Sequence, residues 1–263
     1  MIDKINSERI FQILNEELRN EINIEVFEKV TSTNTLIRQR AEACKEGLVF
    51  VAEEQTAGKG RLGRSFFSPG RTGLYISLVL KPKIQPQDAV MITTAAAVSV
   101  CEALEKSGAD NPQIKWVNDV FVNNKKVCGI LTESNFNPQS GMLDYVILGI
   151  GINVYEPEGG FPEEIKDIAG AVFSEKSEDL RNIVAADFLN SFMNYYYHIS
   201  EKLHFEKYAE RCFVLGKDIS VICGDSVKAA KALSLDEGCG LCVEFDNGEK
   251  TVLNSGEISI RMK

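Results

Sequence analysis

The sequence predicts an α+β fold: a sheet with helices over residues 1–214, then a small β-barrel over residues 215–263. Three observations predict it. Apolar runs of strand length, such as 48–52, 74–80 and 143–150, alternate with helix-period segments through the larger part of the chain. An Ala-rich segment, 91–107, is apolar on most sides and fits a helix buried against a sheet. From Gly216 the texture changes to short alternating strands. A chain of 263 residues, 44% hydrophobic and 25% charged, can bury a substantial core and is ordinary for a globular protein.

Taken in order, residues 4–20 carry Ile5, Ile10, Phe11, Ile13, Leu14 and Leu18 at helical spacing, and 24–30 reads as a strand. Thr31-Ser32-Thr33-Asn34 is a dense set of N-caps for a helix ending near Gly47. The same cluster would also offer hydroxyl and N–H groups to a polar ligand. Strands at 48–52 and 74–80 flank a glycine-rich loop, and Gly108 closes the buried helix. Strands follow at 113–116 and 120–122, and Asn123-Asn124-Lys125 turns a hairpin into 126–133. The strand at 143–150 runs into Gly149-Ile-Gly-Ile-Asn153, whose glycines suit either close approach of a ligand or a β-bulge. Residues 156–169 are loop. Helices are expected at 179–202, capped by Ser177, and at 204–212. The Tyr195-Tyr196-Tyr197 triple wraps around the first of these, so part of it must face solvent. Five short strands, 219–223, 227–235, 241–245, 250–253 and 258–261, complete the chain, with turns at Gly224-Asp225 and Asp246-Asn-Gly248.

The loop between 52 and 74 stands out chemically. Gly58, Gly60 and Gly63 free its backbone, and Lys59, Arg61 and Arg64 concentrate positive charge in a chain of formal net charge -9. Exposed N–H groups beside basic side chains make a concavity for an anion, although a solvated surface loop would carry the same residues. The spacing matches Gly-x-Gly-x-x-Gly, but no helix opens here to receive a dinucleotide's phosphates, because Ser65-Phe66-Phe67-Ser68-Pro69 leads into a strand. Lys59 lacks both the four-residue spacer and the following Ser or Thr of a P-loop.

Composition excludes several classes. A pI near 5.0 leaves no basic footprint for nucleic acid. No apolar run approaches the ~20 residues of a membrane span, and Met1-Ile2-Asp3-Lys4 lacks a signal peptide's apolar core, so a cytoplasmic protein without membrane contact is expected. Seven scattered cysteines are then reduced thiols by default. Cys239-Gly-Leu-Cys242 is a single C-x-x-C, expected in a strand, with both histidines (His198 and His204) far off in sequence. Two histidines leave little scope for a His-based metal site or a Ser-His triad.

Four segments in this order resemble the biotin protein ligases: Ser32-Thr-Asn34; Gln55-x-x-Gly-Lys-Gly-Arg-x-Gly-Arg64; Lys115-Trp-Val-Asn-Asp119 with Lys126-x-x-Gly-Ile-Leu131; and Gly149-Ile-Gly-Ile-Asn153. The end, Gly256-Glu-Ile-Ser-Ile-Arg261, is similar to the family's last strand. The resemblance covers the chain from about residue 27, and each segment alone is weak while the ordered set is specific. It implies a class II synthetase-like mixed sheet followed by an SH3-like barrel. Larger members carry an N-terminal DNA-binding domain, and this chain begins too close to Ser32 to hold one, so the short monofunctional type is expected. Val117 stands where the family usually has proline, and Lys59 where many members have arginine.

The resemblance implies two half-reactions. Biotin's carboxylate attacks the α-phosphate of MgATP to give biotinyl-5′-AMP, and a lysine of a biotin carboxyl carrier domain, that of acetyl-CoA carboxylase or a related enzyme, then takes the biotinyl group. By motif match, Lys126 and Arg61 are the catalytic cations. Ser32, Thr33, Asn34, Gln55, Gly58, Lys59, Gly60, Gly129 and Gly149 would surround biotin. Arg64, Asn118, Asp119 and Asn153 fall to ATP and the adenylate, and Trp116 and Phe66 are candidate apolar walls. Mg²⁺ is expected with ATP, and the sequence assigns it no ligands. Members of the family often form homodimers through sheet-edge pairing, so either a monomer or a homodimer fits the sequence, and such an edge would equally suit a docking carrier domain. The rival readings are a lipoate or octanoate ligase of the same superfamily and a non-catalytic biotin sensor.

Overall fold

The chain is described by a computed structural model over residues 3–223, 226–254 and 256–260. The expected Gly224-Asp225 turn and Arg261 lie outside those residues. Seven strands build the larger sheet: β1 Asn23–Phe27, β2 Leu48–Ala52, β3 Gly73–Leu80, β4 Gln113–Lys115, β5 Asp119–Val122, β6 Lys125–Asn137 and β7 Met142–Asn153, in the order β1-β2-β3-β7-β6-β5-β4. β1 and β2 are parallel because the helix α2, Thr33–Ala41, carries the chain back between them; every other neighbouring pair is antiparallel. The sheet is therefore mixed, as expected.

β2 and β3 read as unbroken apolar runs because both of their faces are covered. Val49 and Val51 turn to the main core, which holds the helices α3 (Val90–Lys106) and α4 (Leu180–Tyr197). Phe50, one residue out of step, turns with Leu48 to the opposite face and packs with Ile37 and Ala41 of α2. Together with the turn before it, α3 spans Pro86–Lys106 and is long and apolar enough to cross a membrane, contrary to the sequence expectation. With 72% of its apolar window buried inside the fold, it is spent as the core helix.

The C-terminal strands β8 Asp218–Cys223, β9 Ser226–Leu235, β10 Leu241–Phe245, β11 Lys250–Leu253 and β12 Glu257–Ile260 form a small antiparallel sheet, ordered β11-β10-β9-β8-β12. Ile219, Val221, Ala232, Leu241, Val243 and Ile258 point inward and join the same core as the larger sheet.

Several local expectations change. The helix over 4–20 is two pieces. α1, Ser7–Ile13, is capped by the Asn6 side chain accepting from Arg9 N at 2.9 Å. Leu14 and Asn15 then extend before a 3-10 turn at Glu16–Asn20. The apolar spacing survives the break, since Ile10, Leu14 and Leu18 are all buried. α2 ends at Ala41, short of Gly47, and Ser32 precedes it without making a side-chain cap bond. α4 has Asp179 rather than Ser177 in its cap position and ends at Tyr197, short of residue 202; the Ser177 backbone pairs instead with the Tyr155 hydroxyl. No β-bulge interrupts residues 149–153, which stay in register with β3 throughout and with β6 as far as Ile152. In the tyrosine triple, Tyr195 and Tyr196 are buried and Tyr197 is exposed. The Trp116–Val117 peptide bond is cis.

Cys239 also departs from expectation. It occupies a left-handed turn before β10, not a strand, and His204 is beside it, with Nε2 3.9 Å from Cys239 Sγ and 3.0 Å from Thr94 Oγ1. Among the described cysteines none is paired, and burial pushes the Cys239 thiol upward and Cys212 to about 12. His204, between α3 and the helix α5 (Phe205–Arg211), is fully buried, and desolvation lowers its pKa to about 4. Below the ordinary imidazole value of 6.5 the unfolded chain gains a proton that the fold refuses. His204 therefore favours the fold above pH 6.5 and loses its contribution as pH falls toward 4, by on the order of 3 kcal/mol. Thermal melting at pH 7 and pH 4.5 should show the loss, and His204→Gln should shrink the pH dependence.

Candidate active site

The glycine-rich loop leaves the sheet between β2 and β3 and folds as a small hairpin. Gln55 N donates to Ser68 O at 3.0 Å, Phe66 N to Gly58 O at 2.9 Å and Gly60 N to Arg64 O at 2.7 Å. Its tip turns through Leu62 and Gly63, both at positive φ, with Leu62 75% exposed. Its first arm is sewn to the segment before α2, Thr56 N donating to Val30 O and Ala57 N to Thr31 O. Gly58 has no room for a side chain, since a Cβ there would stand 2.4 Å from Phe66 O. Phe66 folds beneath the hairpin onto Gly151, where a Cβ would come within 2.5 Å of its ring.

Under this loop is a cavity of about 250 Å³. Its floor is Gly129–Leu131 of β6 and 149–151 of β7, its back wall is residues 32–34, and Gly256 and Ile258 reach it from the C-terminal sheet. Five cations line it, Lys59, Arg61, Arg64, Lys115 and Lys126, against one carboxylate, Asp119. In a chain of net charge -9 this is a local inversion of sign, which concentrates an anionic ligand.

At the back wall the polar groups are held in fixed orientations. Gln55 Oε1 accepts from Thr33 N at 2.8 Å and Thr33 Oγ1 at 3.1 Å, while Gln55 Nε2 donates to Ser68 Oγ at 2.9 Å. Ser77, fully buried on β3, reaches Thr33 Oγ1 at 2.7 Å and Asn34 Oδ1 at 2.5 Å. Asn34 Nδ2 donates to Glu133 Oε2 at 2.9 Å, and Arg38 pairs with the other Glu133 oxygen. Burial pushes the Glu133 carboxyl up, but the bonds from Asn34 and Arg38 and the charges of Arg38 and Lys59 outweigh it and hold it below the usual carboxylate range.

At the cationic end, Lys126 Nζ is 2.6 Å from Asp119 Oδ1 across the β5–β6 pair. Arg61 donates from its terminal nitrogen to Asn118 Oδ1 at 2.9 Å, and Asn118 Nδ2 donates to Ile130 O at 2.9 Å, so Asn118 ties the loop to the sheet. Lys126 also anchors the following connection through its backbone: Lys126 N donates to Ile168 O at 2.8 Å and Gly170 N to Lys126 O at 3.0 Å. This puts the exposed Ile168 side chain at the cavity.

Of the residues singled out from sequence, Ser32, Thr33, Asn34, Gln55, Lys59, Gly60, Arg61, Arg64, Asn118, Asp119, Lys126, Gly129 and Gly149 line this one cavity. Gly58 and Asn153 do not. Gly58 permits the hairpin's close approach, and buried Asn153 donates from Nδ2 to Gly170 O at 3.1 Å, staking down the 168–170 segment. Gly149 also makes space for Asn34, since a Cβ there would be 2.1 Å from Asn34 Oδ1. Ser77, Glu133, Ile168, Lys115 and Ile258 are additions. Ser77 had one signal, a lone hydroxyl in the middle of the apolar run of β3.

An α+β fold whose mixed sheet carries a glycine-floored, cation-rimmed cavity defines a small-molecule-binding protein suited to a ligand with an anionic end. The chain belongs to the biotin/lipoate A/B protein ligase family, whose model matches residues 26–153. It is 33% identical over 217 residues to the bifunctional ligase/repressor BirA of Bacillus subtilis; the match covers 80% of this chain and 65% of that relative's length. Among solved structures it is similar to the biotin protein ligase of Aquifex aeolicus in complex with biotin and ATP, at 29% identity and TM-score 0.71 over 92% of this chain and 99% of that one. A point mutant of the same protein in complex with biotin gives 30%, TM-score 0.73 and the same coverage. The Leishmania major biotin protein ligase in complex with biotinyl-5-AMP gives 26% and TM-score 0.53, covering 88% of this chain and 98% of that one.

Proposed function

We propose that the chain is an ATP-dependent biotin–[acetyl-CoA-carboxylase] ligase, and the observation that carries the proposal is the cavity's polarity. Fixed hydrogen-bonding groups (Thr33, Gln55) and a concentration of cations line the same cavity. That combination suits a neutral ureido ring held by the fixed groups while its carboxylate meets a phosphate among the cations. The carboxylate oxygen attacks the α-phosphorus of ATP, the bond to pyrophosphate breaks, and biotinyl-5′-AMP remains. The amine of a carrier-domain lysine then attacks the biotinyl carbonyl and AMP leaves. Lys126, held by Asp119, neutralises the charge shared by carboxylate and α-phosphate, and Arg61 closes over it. The lid hairpin keeps water from the anhydride.

Mg²⁺ fits here only as part of the ATP complex. No group of three or more His, Cys, Asp or Glu is placed to hold a metal among the described residues, and Asp119 is the carboxylate that would meet a phosphate-borne ion. Bound there, the ion would screen the phosphate charge. The small C-terminal sheet is read as an SH3-like barrel forming a second domain over 215–263, with the ligand-binding domain over 1–214, and the protein as cytoplasmic, with a biotin carboxyl carrier domain as its partner.

A lipoate-type ligase is the second reading within the family. Purified protein with ATP should release pyrophosphate with biotin but not lipoate, and should transfer labelled biotin to a carrier domain. Release with lipoate alone would replace the reading, and biotin binding without release would make the protein a sensor. Biotin plus ATP should also protect Arg61 and Arg64 from trypsin. Equal cleavage with and without ligand would remove the lid role.

A further inference from the structure

Among the described residues the largest fully buried side chain is a cation, Arg181, in the first turn of α4. It sits behind the sheet and takes no part in the chemistry above. Its partners are the feet of the lid. Nη1 donates to Glu53 Oε2 at 2.7 Å and to Gly73 O at 3.1 Å, and Nη2 reaches Glu53 Oε1 at 3.3 Å. Glu53 is the first residue after β2 and Gly73 the first of β3, so one guanidinium grips both ends of the segment that carries the glycine hairpin.

The other side of Arg181 holds the N-terminal segment. Nε donates to Asp3 Oδ2 at 3.3 Å, Nη2 to the Asp3 carbonyl, and Arg181 N to the same carboxylate at 3.2 Å. Ile5 N donates to Glu53 Oε1 at 2.8 Å, and Tyr155 Oη donates to Asp3 Oδ2 at 2.7 Å. Two buried carboxylates and one buried guanidinium thus form a closed network reaching residues far apart in sequence. Buried ion groups of this kind seldom add net stability over apolar replacements, and their best-attested use is to fix one arrangement. A planar fork with five donors suits that use in a way an ammonium does not.

The geometry points to Arg181 as a positioning residue for the lid: through Glu53 and Gly73 it sets the height and angle at which the hairpin carrying Lys59, Arg61 and Arg64 stands over the cavity, and Asp3 sets Arg181. The carboxylate of Glu53 and the carbonyl of Gly73 converge on one side chain, so its loss removes a tie from both feet together and leaves them their backbone bonds. This deepens the ligase reading and rests on it for its kinetic part. The lid's own mobility can be read without any ligand.

The experiment compares wild type with Arg181→Lys, Arg181→Met and Asp3→Asn in two measurements. In the first, trypsin cleavage at Arg61 and Arg64 is timed without ligand, relative to the remaining sites. Arg181→Lys should raise that ratio at least about fivefold while the circular dichroism spectrum stays native, and Asp3→Asn should raise it less. In the second, KM for biotin should rise about tenfold with kcat changed less than about twofold, because a loose lid weakens capture more than the chemical step. If Arg181→Met does not fold, the lysine and asparagine variants still decide. A melting temperature lowered in Arg181→Lys, with the cleavage ratio and KM both at wild-type values, would make Arg181 a structural brace only and overturn the proposal. If the ratio rises but no biotin-dependent pyrophosphate release is found even in wild type, the positioning role stands and the ligase reading fails.

Discussion

Lys126→Ala should lower kcat for biotin-dependent pyrophosphate release by roughly 10²–10³-fold while leaving the fold and the melting temperature close to wild type. The size follows from where the ammonium stands. It is partly shielded, paired at 2.6 Å with Asp119, and in a cavity whose other charges are cationic. Its side chain is only 29% exposed, so water does little to screen it. The charge it meets grows as carboxylate and α-phosphate come together, so the interaction strengthens toward the transition state. Fold and melting temperature are spared because the pair with Asp119 is not fully buried and the Lys126 backbone keeps its bonds to Ile168 and Gly170. Lys126→Arg should recover only part of the rate, because the larger planar head cannot occupy the same point beside Asp119. Stopped-assay pyrophosphate release at saturating substrate, with melting as the control, measures both. Undiminished release in Lys126→Ala would move the site's central cation to Arg61 or Lys115.

What was legible in the sequence was local. Lys126 and Asp119 lie in neighbouring strands of one hairpin, and Gly58 through Arg64 lie in one loop, so short motifs expose them. The apolar period over residues 4–20 named the right buried positions, Ile10, Leu14 and Leu18, but could not show that the backbone straightens at Leu14. The remaining gaps are long-range. Ser77 meets Thr33 and Asn34 across 44 and 43 residues, His204 meets Cys239 across 35, and Arg181 meets Asp3 across 178. No pattern within a window reports which hydroxyl or guanidinium will face which partner once strands pair. The bond of Asn153 has the same character: its motif is a strand end, and its side chain meets Gly170, in a segment with no periodicity to read.

Gly149→Ala should be the most damaging single methyl group in the site, raising KM for biotin by about 10- to 100-fold with a smaller effect on kcat. The added Cβ would lie 2.1 Å from Asn34 Oδ1 and 2.7 Å from its Cγ, distances no side chain tolerates. β7 cannot yield, because Gly149 is locked in register between Ser77 of β3 and Leu131 of β6. Asn34 must therefore leave. In doing so it abandons Ser77 Oγ, which keeps Thr33 Oγ1, and strips Glu133 Oε2 of its amide donor, a loss of about 1–3 kcal/mol for an unsatisfied charged acceptor. Thr33 shares Ser77 and sits next in the chain, so the groups that face the ligand's ring are disturbed with it. A double-mutant cycle tests this chain of causes. If the damage runs through Asn34, Asn34→Ala makes room for the new methyl, and Gly149→Ala adds little to it, giving a coupling well beyond the ~0.5 kcal/mol of independent sites. Additive effects would mean that the methyl acts on the ligand itself, and that Gly149 is a contact surface rather than the space in which Asn34 is held.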